Sequence, residues 1–127
     1  MAWVLSLTGW VFVEINEELK QKILAQPFFK GRIVSGSMIP VINIGEEILI
    51  EVKARNLKRF DIIVFLRDEK LICHYLWNIN RVIKPLLLQT RNIGGGKDYP
   101  IKEEDYIGKV LSHKLSFFRK LRIALSK

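Results

Sequence analysis

The sequence predicts a mainly β domain with a helix near each end, and three observations lead to this prediction. Short runs rich in β-branched and aromatic residues follow one another between residues 48 and 111, separated by polar or glycine-containing turns. Apolar residues recur at helical spacing before this region, and apolar and basic residues mix after it. The length of 127 residues suits one domain with one core. We therefore expect a single domain with an apolar N-terminal segment and helix (1–30), a β core (31–111) and a basic amphipathic tail (112–127).

The composition indicates an ordinary globular protein with a basic surface. Hydrophobic residues make up 49% and charged residues 27%, which argues against disorder. The formal net charge of +8 favours anionic surfaces, either nucleic acid or the anionic lipid of a bilayer. Cys73 is the only cysteine, which excludes an internal disulfide framework and a cysteine-rich zinc site. We expect Cys73 to be a buried strand residue, and we expect no metal or cofactor.

The N-terminal segment carries the longest apolar run, residues 3–13. The run is about half of the roughly 20 residues that a membrane-spanning helix needs, and it lacks the basic leader of a secretory signal. We expect no transmembrane helix and no export, and hence a cytoplasmic protein. Two interpretations of the run stay open: a strand or helix packed into the core, or an interfacial segment with Trp3 and Trp10 at the lipid boundary.

Helical spacing follows from Glu14, with Asn16 as a plausible cap and Pro27 as the end of the helix. Beyond it, residues 41–42 lead into the first of the β runs. The predicted strands are residues 48–52, 62–66, 71–77, 81–83, 86–90 and 106–111. The second and third form a hairpin through the polar turn 67–70, and the fourth and fifth form a pair around Pro85. Residues 94–96 are all glycine and predict a loop.

The tail mixes apolar residues with Lys and Arg, and two interpretations carry equal weight. It is either an amphipathic helix lying on anionic lipid or on a partner, or a terminal helix docked on the sheet with a solvated basic face. Tyr75 and Trp77 are strand aromatics, which are more typical of a core than of a base-stacking surface, so we expect no nucleic-acid partner.

One short segment points to chemistry. Residues 35–40 read Ser-Gly-Ser-Met-Ile-Pro, a turn of small residues between an apolar entry and a strand. A serine in such a turn is exposed, and the preceding Gly36 lets a substrate backbone approach closely. A hydroxyl nucleophile needs a base within hydrogen-bond reach. The two histidines are His74, in an apolar strand, and His113, which we expect to be exposed in the tail. The residues alone favour a structural role for His74.

Residues 35–40 and the segments that follow resemble the signal peptidase and LexA-like serine peptidases. Residues 45–50, 59–65 and 107–110 are similar to that family's Gly-Asp-x-Val-x-Val, Arg-Gly-Asp-Ile-Val-Val-Phe and Ile-x-Gly-x-Val strands, in the same order. His74 falls where the endoplasmic-reticulum and archaeal-type branch reads Val-His-Arg-Val. Residues 90–98 resemble that branch's Thr-Lys-Gly-Asp-Asn-Asn-x-x-Asp. The resemblance covers residues 31–111 and implies a coiled, barrel-like sheet.

The resemblance also implies roles for six residues. Ser37 is the nucleophile, His74 the general base that takes its proton and returns it to the leaving amine, and Asp98 the group that orients the imidazole. The Ser37 N–H and the Ser35 hydroxyl hold the oxyanion. Met38 and Pro40 shape the turn and contact the substrate.

Several positions depart from the family pattern. Glu46 and Phe60 replace an aspartate and a glycine, changes that we expect to affect structure alone. Ile93 replaces the first aspartate of the late motif and leaves Asp98 as the sole candidate to orient His74. Lys84 is an alternative base, which the neighbouring Pro85 disfavours.

The sequence therefore predicts a serine endopeptidase that cleaves an extended peptide or preprotein segment. The alternative is a weak or inactive peptide-binding module on the same fold, which Ile93 favours. A self-cleaving DNA-binding regulator is disfavoured, because about 30 residues before the nucleophile leave no room for a DNA-binding domain. Trp3, Trp10 and the tail could add peripheral contact with an anionic membrane.

Overall fold

The computed structural model describes residues 2–6, 9–11, 17–33, 38, 40–68, 70–80, 87–91, 93 and 100–125. Within these residues the chain forms nine strands and two α-helices. In chain order they are β1 (Ala2–Ser6), β2 (Gly9–Val11), α1 (Glu17–Leu24), β3 (Phe28–Ile33), β4 (Glu47–Val52), β5 (Ile62–Arg67), β6 (Lys70–Asn80), β7 (Leu87–Arg91), β8 (Ile101–Lys102), β9 (Tyr106–Val110) and α2 (Phe117–Leu125). A 3-10 turn, Glu103–Asp105, joins β8 to β9. The mainly β prediction is confirmed.

All nine described strands belong to one antiparallel sheet in the order β2-β1-β3-β4-β9-β5-β6-β7-β8. The sheet is strongly curled, because residues of β1 approach residues of β6 to within 8 Å between Cα atoms. Five strand spacings separate β1 from β6 along the hydrogen-bond ladder, which would amount to roughly 24 Å in a flat sheet. The two outer strands of the described ladder, β2 and β8, do not pair with each other.

The curled sheet separates two hydrophobic clusters. The first cluster contains the odd-numbered side chains of β6 up to Trp77, together with side chains of β3, β4, β5, β9 and both helices. Its buried members are Ile23, Phe29, Met38, Ile42, Ile48, Ile50, Ile62, Val64, Leu71, Cys73, Tyr75, Trp77, Ile107, Val110, Leu115 and Ile123. The second cluster lies on the other face of β5 and β6. Its buried members are Leu57, Ile63, Phe65, Leu76, Leu88, Ile101 and Tyr106. Alternation of side chains along a strand explains why neighbours on β5 and β6 belong to different clusters.

Most predicted elements are confirmed. The described parts of the N-terminal apolar run lie in β1 and β2, and α1 ends before Pro27, as its spacing predicts. The hairpin of β5 and β6 pairs Ile62 with Tyr75 and Arg67 with Lys70, so its turn lies where the polar residues predict it. Cys73 is buried, and its burial raises the pKa of the thiol to about 12. The strand assigned to residues 106–111 is β9.

Three local predictions differ from the structure. Residues 40–45 form turns instead of a strand-like lead into β4, because the Ile42 N–H donates to the Met38 carbonyl at 2.9 Å. The strand β3 begins directly after Pro27, where no separate strand is predicted. The strand β7 pairs with the far end of β6, which is longer than predicted, whereas residues 81–83 lie outside the described residues.

The two described helices are eight and nine residues long, and neither has the length and apolar character to cross a bilayer. In α1, Ile23 is buried while Glu18 and Lys22 form an exposed i,i+4 ion pair of 3.5 Å.

Gly108 lies where β9 fits between β4 and β5, opposite Val52 on one side and Val64 on the other. A Cβ at this position would lie 2.6 Å from Cγ2 of Ile50 and closer still to the Glu51 carbonyl oxygen. Gly108→Ala should therefore lower the free energy of unfolding by about 1–3 kcal/mol, because the strands must move apart. Urea unfolding followed by circular dichroism measures the change. Lys102→Ala, on the exposed side of β8, is the control and should stay within about 0.5 kcal/mol of wild type. Equal stability of both variants would contradict the close approach.

Candidate functional site

Three of the six predicted site residues lie among the described residues. They are His74, Met38 and Pro40. The other three, Ser35, Ser37 and Asp98, lie outside the described residues. The described part of the candidate site therefore consists of His74, the chain on either side of it and Met38, which follows Ser37.

His74 lies at the centre of β6 and faces the second cluster. It pairs with Ile63 of β5, and its ring centroid lies 6.0 Å from that of Phe65 in an edge-to-face arrangement of 63°. The side chain is buried, with the residue 8% exposed. Packing against an aromatic edge fixes the orientation of the imidazole, which a general base needs.

The strand beside His74 leads directly into the segment that contains Asp98. In the β6–β7 ladder, Tyr75 pairs with Arg91, the last residue of β7. His74 is therefore one position from the point at which the chain leaves β7 toward residues 92–99. Thr90, the first residue of the late motif, is fully buried opposite Leu76. The ladder thus brings the start of the late motif and His74 together.

Met38 anchors the end of the Ser-Gly-Ser-Met segment in the first cluster. Its side chain is 1% exposed, and its carbonyl accepts the hydrogen bond from the Ile42 N–H. Pro40 is exposed, as a residue that contacts substrate would be. Met38 and His74 belong to environments on opposite faces of β6, because Met38 packs in the cluster of the odd-numbered β6 side chains. Among the described residues, the structure does not bring these two side chains together.

A cation–aromatic stack on Trp77 of β6 is not predicted from the sequence. Trp77 is the extra residue of a β-bulge, since Leu76 pairs with Thr90 and Asn78 with Gln89. The Cζ of Arg59 lies 4.4 Å from the Trp77 ring centroid, and the Cζ of Arg91 lies 3.9 Å from it. Bulges leave no periodic signal in a sequence, and the two arginines are 32 positions apart (91 − 59), so local patterns could not reveal the stack.

Arg91 is the more buried of the two arginines, at 9% exposure, and the Arg59 Nε also donates to the Trp77 carbonyl at 2.8 Å. The Nε of Arg91 is buried without a hydrogen-bond partner in the structure described here. Burial raises the pKa of Tyr75, and the charge of Arg91 acts in the opposite direction. The low exposure of Tyr75 and Trp77 confirms that these aromatics belong to the core.

His113 is half-buried instead of freely exposed, because a hydrogen-bonded chain fixes it. The Leu49 N–H donates to the Ser112 Oγ at 3.0 Å, and that oxygen lies 2.8 Å from Nδ1 of His113. Nε2 of His113 lies 3.0 Å from Oε2 of Glu46. With the hydroxyl donating to Nδ1 and Nε2–H donating to the carboxylate, every group in the chain has a partner. We call this array the Ser112–His113–Glu46 clasp. It ties the segment that leads to α2 to the entry of β4.

Two carboxylates make structural contacts: Glu46, which departs from the family pattern, and Asp61, which follows the departing Phe60. Oε1 of Glu46 also accepts from the N–H and the side-chain amide of Asn43, at 2.7 and 3.0 Å. The hydrogen bonds from His113 and Asn43 lower the pKa of Glu46 to about 2. Asp61 accepts from the Lys58 N–H at 2.8 Å and lies 3.5 Å from the Lys109 ammonium.

Phe60 lies in the left-handed region at φ 77°, where the family pattern has glycine. Its ring contacts Tyr75 and Trp77, with centroid distances of 6.2 and 6.0 Å, which offsets part of the backbone strain. In the parts of the chain that the structure describes, no group of three His, Cys, Asp or Glu residues is arranged to hold a metal ion.

The clasp makes stability depend on pH through Glu46. The folded pKa of about 2 lies below the ordinary value of 4.5, so the ionised carboxylate stabilises the fold above pH 4.5. That contribution should be lost as the pH falls from about 4.5 to 2. Glu46→Gln should lower the unfolding midpoint in urea at pH 6, and the difference from wild type should shrink toward pH 2.

The measurement is urea unfolding by tryptophan fluorescence across this pH range. Glu104→Gln, an exposed glutamate of the 3-10 turn, is the matched control and should keep the wild-type profile. A stability difference between Glu46→Gln and wild type that does not change with pH would contradict the stabilising role of the ionised Glu46 carboxylate.

Comparison with known proteins adds no relative on which to base an assignment. No family model, curated protein or solved structure matches the chain. The resemblance to signal peptidase and LexA-like peptidases therefore depends on the residues quoted from the sequence. Any function assigned to these residues depends on where the fold places them.

Proposed function

We propose that the protein is a serine endopeptidase of the signal-peptidase type, with Ser37 as nucleophile and His74 as general base. The observation that carries the proposal is the adjacency of four strands. The segment 45–50 ends in β4, the segment 59–65 ends in β5, and the segment 107–110 lies in β9. His74 lies in β6. These strands are consecutive neighbours, in the order β4-β9-β5-β6. Segments that resemble one family in sequence order thus also form one continuous sheet, as a shared fold requires.

The curl of the sheet supports the finer proposal of a coiled, barrel-like peptidase fold. Curling around the first cluster brings β1 within reach of β6, the strand that carries His74. A curled sheet has a concave and a convex face, which a flat sheet lacks. Loops at the ends of its strands can converge on one site.

The reaction follows from the three roles. The Ser37 oxygen attacks the carbonyl carbon of the scissile peptide while the His74 imidazole takes the hydroxyl proton. The oxyanion receives hydrogen bonds from the Ser37 N–H and the Ser35 hydroxyl. The C–N bond then breaks, and the imidazolium gives its proton to the leaving amine. Water then attacks the acyl carbonyl carbon while His74 takes a proton from the water. The bond from that carbon to the Ser37 oxygen breaks, and the imidazolium returns the proton to the serine. Asp98 stabilises the imidazolium in both stages.

The substrate class follows from the edge strands and from the family pattern. An extended peptide can add to a sheet edge through backbone hydrogen bonds, and β2 and β8 are the edges of the described ladder. Small side chains near the scissile bond are what the resemblance to the signal-peptidase type leads us to propose.

A second candidate, a peptide-binding module without catalysis, is favoured by Ile93. The side chain of Ile93 packs against the first cluster, at the position where the family has an aspartate. A carboxylate at this position would lose solvation, so Ile93 strengthens the core and leaves Asp98 alone to orient His74. Weak orientation of the imidazole lowers turnover without affecting peptide binding.

The test is cleavage of a pool of extended peptides with small residues at varied positions, followed by mass spectrometry. We expect cleavage by the wild type and a fall of on the order of a hundredfold or more in Ser37→Ala and His74→Gln. His113→Ala, which alters the other histidine, is the matched control and should retain the cleavage rate. Thermal unfolding of each variant separates a lost base from a lost fold.

Two outcomes would contradict the peptidase proposal. Cleavage that survives in both Ser37→Ala and His74→Gln would assign the activity to other residues. Absence of cleavage by the wild type, together with saturable binding of a labelled peptide in fluorescence anisotropy, would establish the binding module instead.

A further inference from the structure

Helix α2 has two apolar faces, and the fold uses one of them. Ile123, at 8% exposure, and Leu115, just before the helix at 4%, pack against the first cluster. A second set of apolar side chains on the same helix is exposed. They are Phe117 (72%), Phe118 (79%), Leu121 (46%) and Leu125 (78%).

The exposed set forms one stripe that points away from the domain. Phe118, Leu121 and Leu125 recur at intervals of three and four residues, which places them on one side of the helix. At about 100° per residue, the centre of this stripe lies roughly 170° from Ile123. The stripe is thus directed outward, opposite the face that docks on the sheet. An open groove of about 660 Å³ follows it, with Phe118, Leu121 and Leu125 in its lining and Arg119 and Arg122 beside them.

The orientation of α2 is fixed from its start. Ser116 caps the helix, because its Oγ accepts from the Arg119 N–H at 3.1 Å. The Ser112–His113–Glu46 clasp holds the preceding segment against the entry of β4. The outward stripe is therefore a property of the folded domain instead of one conformation of a loose tail.

The charges around the stripe decide what can cover it. From Tyr106 to Lys127 the sequence contains six Lys and Arg residues and no Asp or Glu. Arg119 and Arg122 lie beside the stripe, and Arg122 is exposed. A second copy of this chain would bring the same cations together across the contact, which opposes self-association. An anionic bilayer surface offers acyl chains to the apolar side chains and phosphate to the cations at the same time.

We propose that the outward face of α2 is a docking surface for anionic lipid, on which the helix lies parallel to the membrane plane. Phe118, Leu121 and Leu125 enter the boundary between head groups and acyl chains. Arg119 and Arg122 contact the lipid phosphates. The proposal rests on α2 and its charges and is independent of the peptidase proposal.

The test is co-sedimentation of the full chain with vesicles of phosphatidylcholine alone and with about one third phosphatidylserine, at physiological salt. The wild type should bind the anionic vesicles at least about tenfold more tightly than the neutral ones. Phe118→Ser with Leu125→Ser should weaken anionic binding about tenfold or more. Ile44→Ser, which alters an apolar residue of 60% exposure outside α2, is the matched control and should bind as the wild type does.

The charge contribution has its own pair of variants. Arg122→Gln should weaken anionic binding about fivefold, whereas Arg55→Gln, which alters an exposed cation outside α2, should weaken it less. All altered side chains are exposed, and unchanged thermal midpoints verify that the variants fold.

Two results would overturn the lipid assignment. Equal binding to neutral and anionic vesicles, or binding that the Phe118 and Leu125 substitutions leave unchanged, would exclude α2 as the docking surface. A dimer in analytical ultracentrifugation that the same two substitutions dissociate, without vesicle binding by the wild type, would assign the stripe to a second copy.

Discussion

The fold depends on the insertion of β9 between β4 and β5. In the sheet order, β9 alone links the strands formed before residue 53 to the strands formed after residue 61. Gly108 makes the close approach possible, because any side chain would collide with the backbone of Glu51. The strand β9, which comes late in the chain, thus joins two earlier strands, β4 and β5, that do not pair with each other. Pairing between such distant segments costs loop-closure entropy, which the burial of Ile107 and Val110 offsets.

Once β9 is in place, the curl of the sheet separates two environments along β6. Tyr75 and Trp77 face the first cluster, while His74, the residue before Tyr75, faces Phe65. This alternation gives the histidine a rigid and mostly dry position beside the end of β7. It also explains why Met38 and His74 lie in different environments, although both belong to the proposed site. Ile93 packs against the first cluster and so extends it.

Charge is distributed as unevenly as the apolar side chains. The described carboxylates Glu46 and Asp61 each have hydrogen-bonded or ionic partners near β9 and the start of the tail. Arg119 and Arg122 of α2 lie next to exposed phenylalanine and leucine side chains. A basic, partly apolar helix projecting from a well-packed sheet is a suitable arrangement for attachment to an anionic surface. Enzymatic or binding activity on the sheet and attachment through α2 would then occupy different parts of one small domain.

The sequence by itself determined the element types, because hydrophobic periodicity and turn residues act locally. The hairpin of β5 and β6, the end of α1 at Pro27 and the burial of Cys73 were all predictable from a few neighbouring residues. It also pointed to His74 as a candidate site residue, through a resemblance rather than through periodicity. Tertiary structure alone decided the partner of β7, the stack of Arg59 and Arg91 on Trp77, and the clasp that holds His113. The pairing of β6 with β7 joins residues 7 to 16 positions apart, and the contact of His113 with Glu46 joins residues 67 positions apart. Only the folded sheet brings such residues within bonding distance.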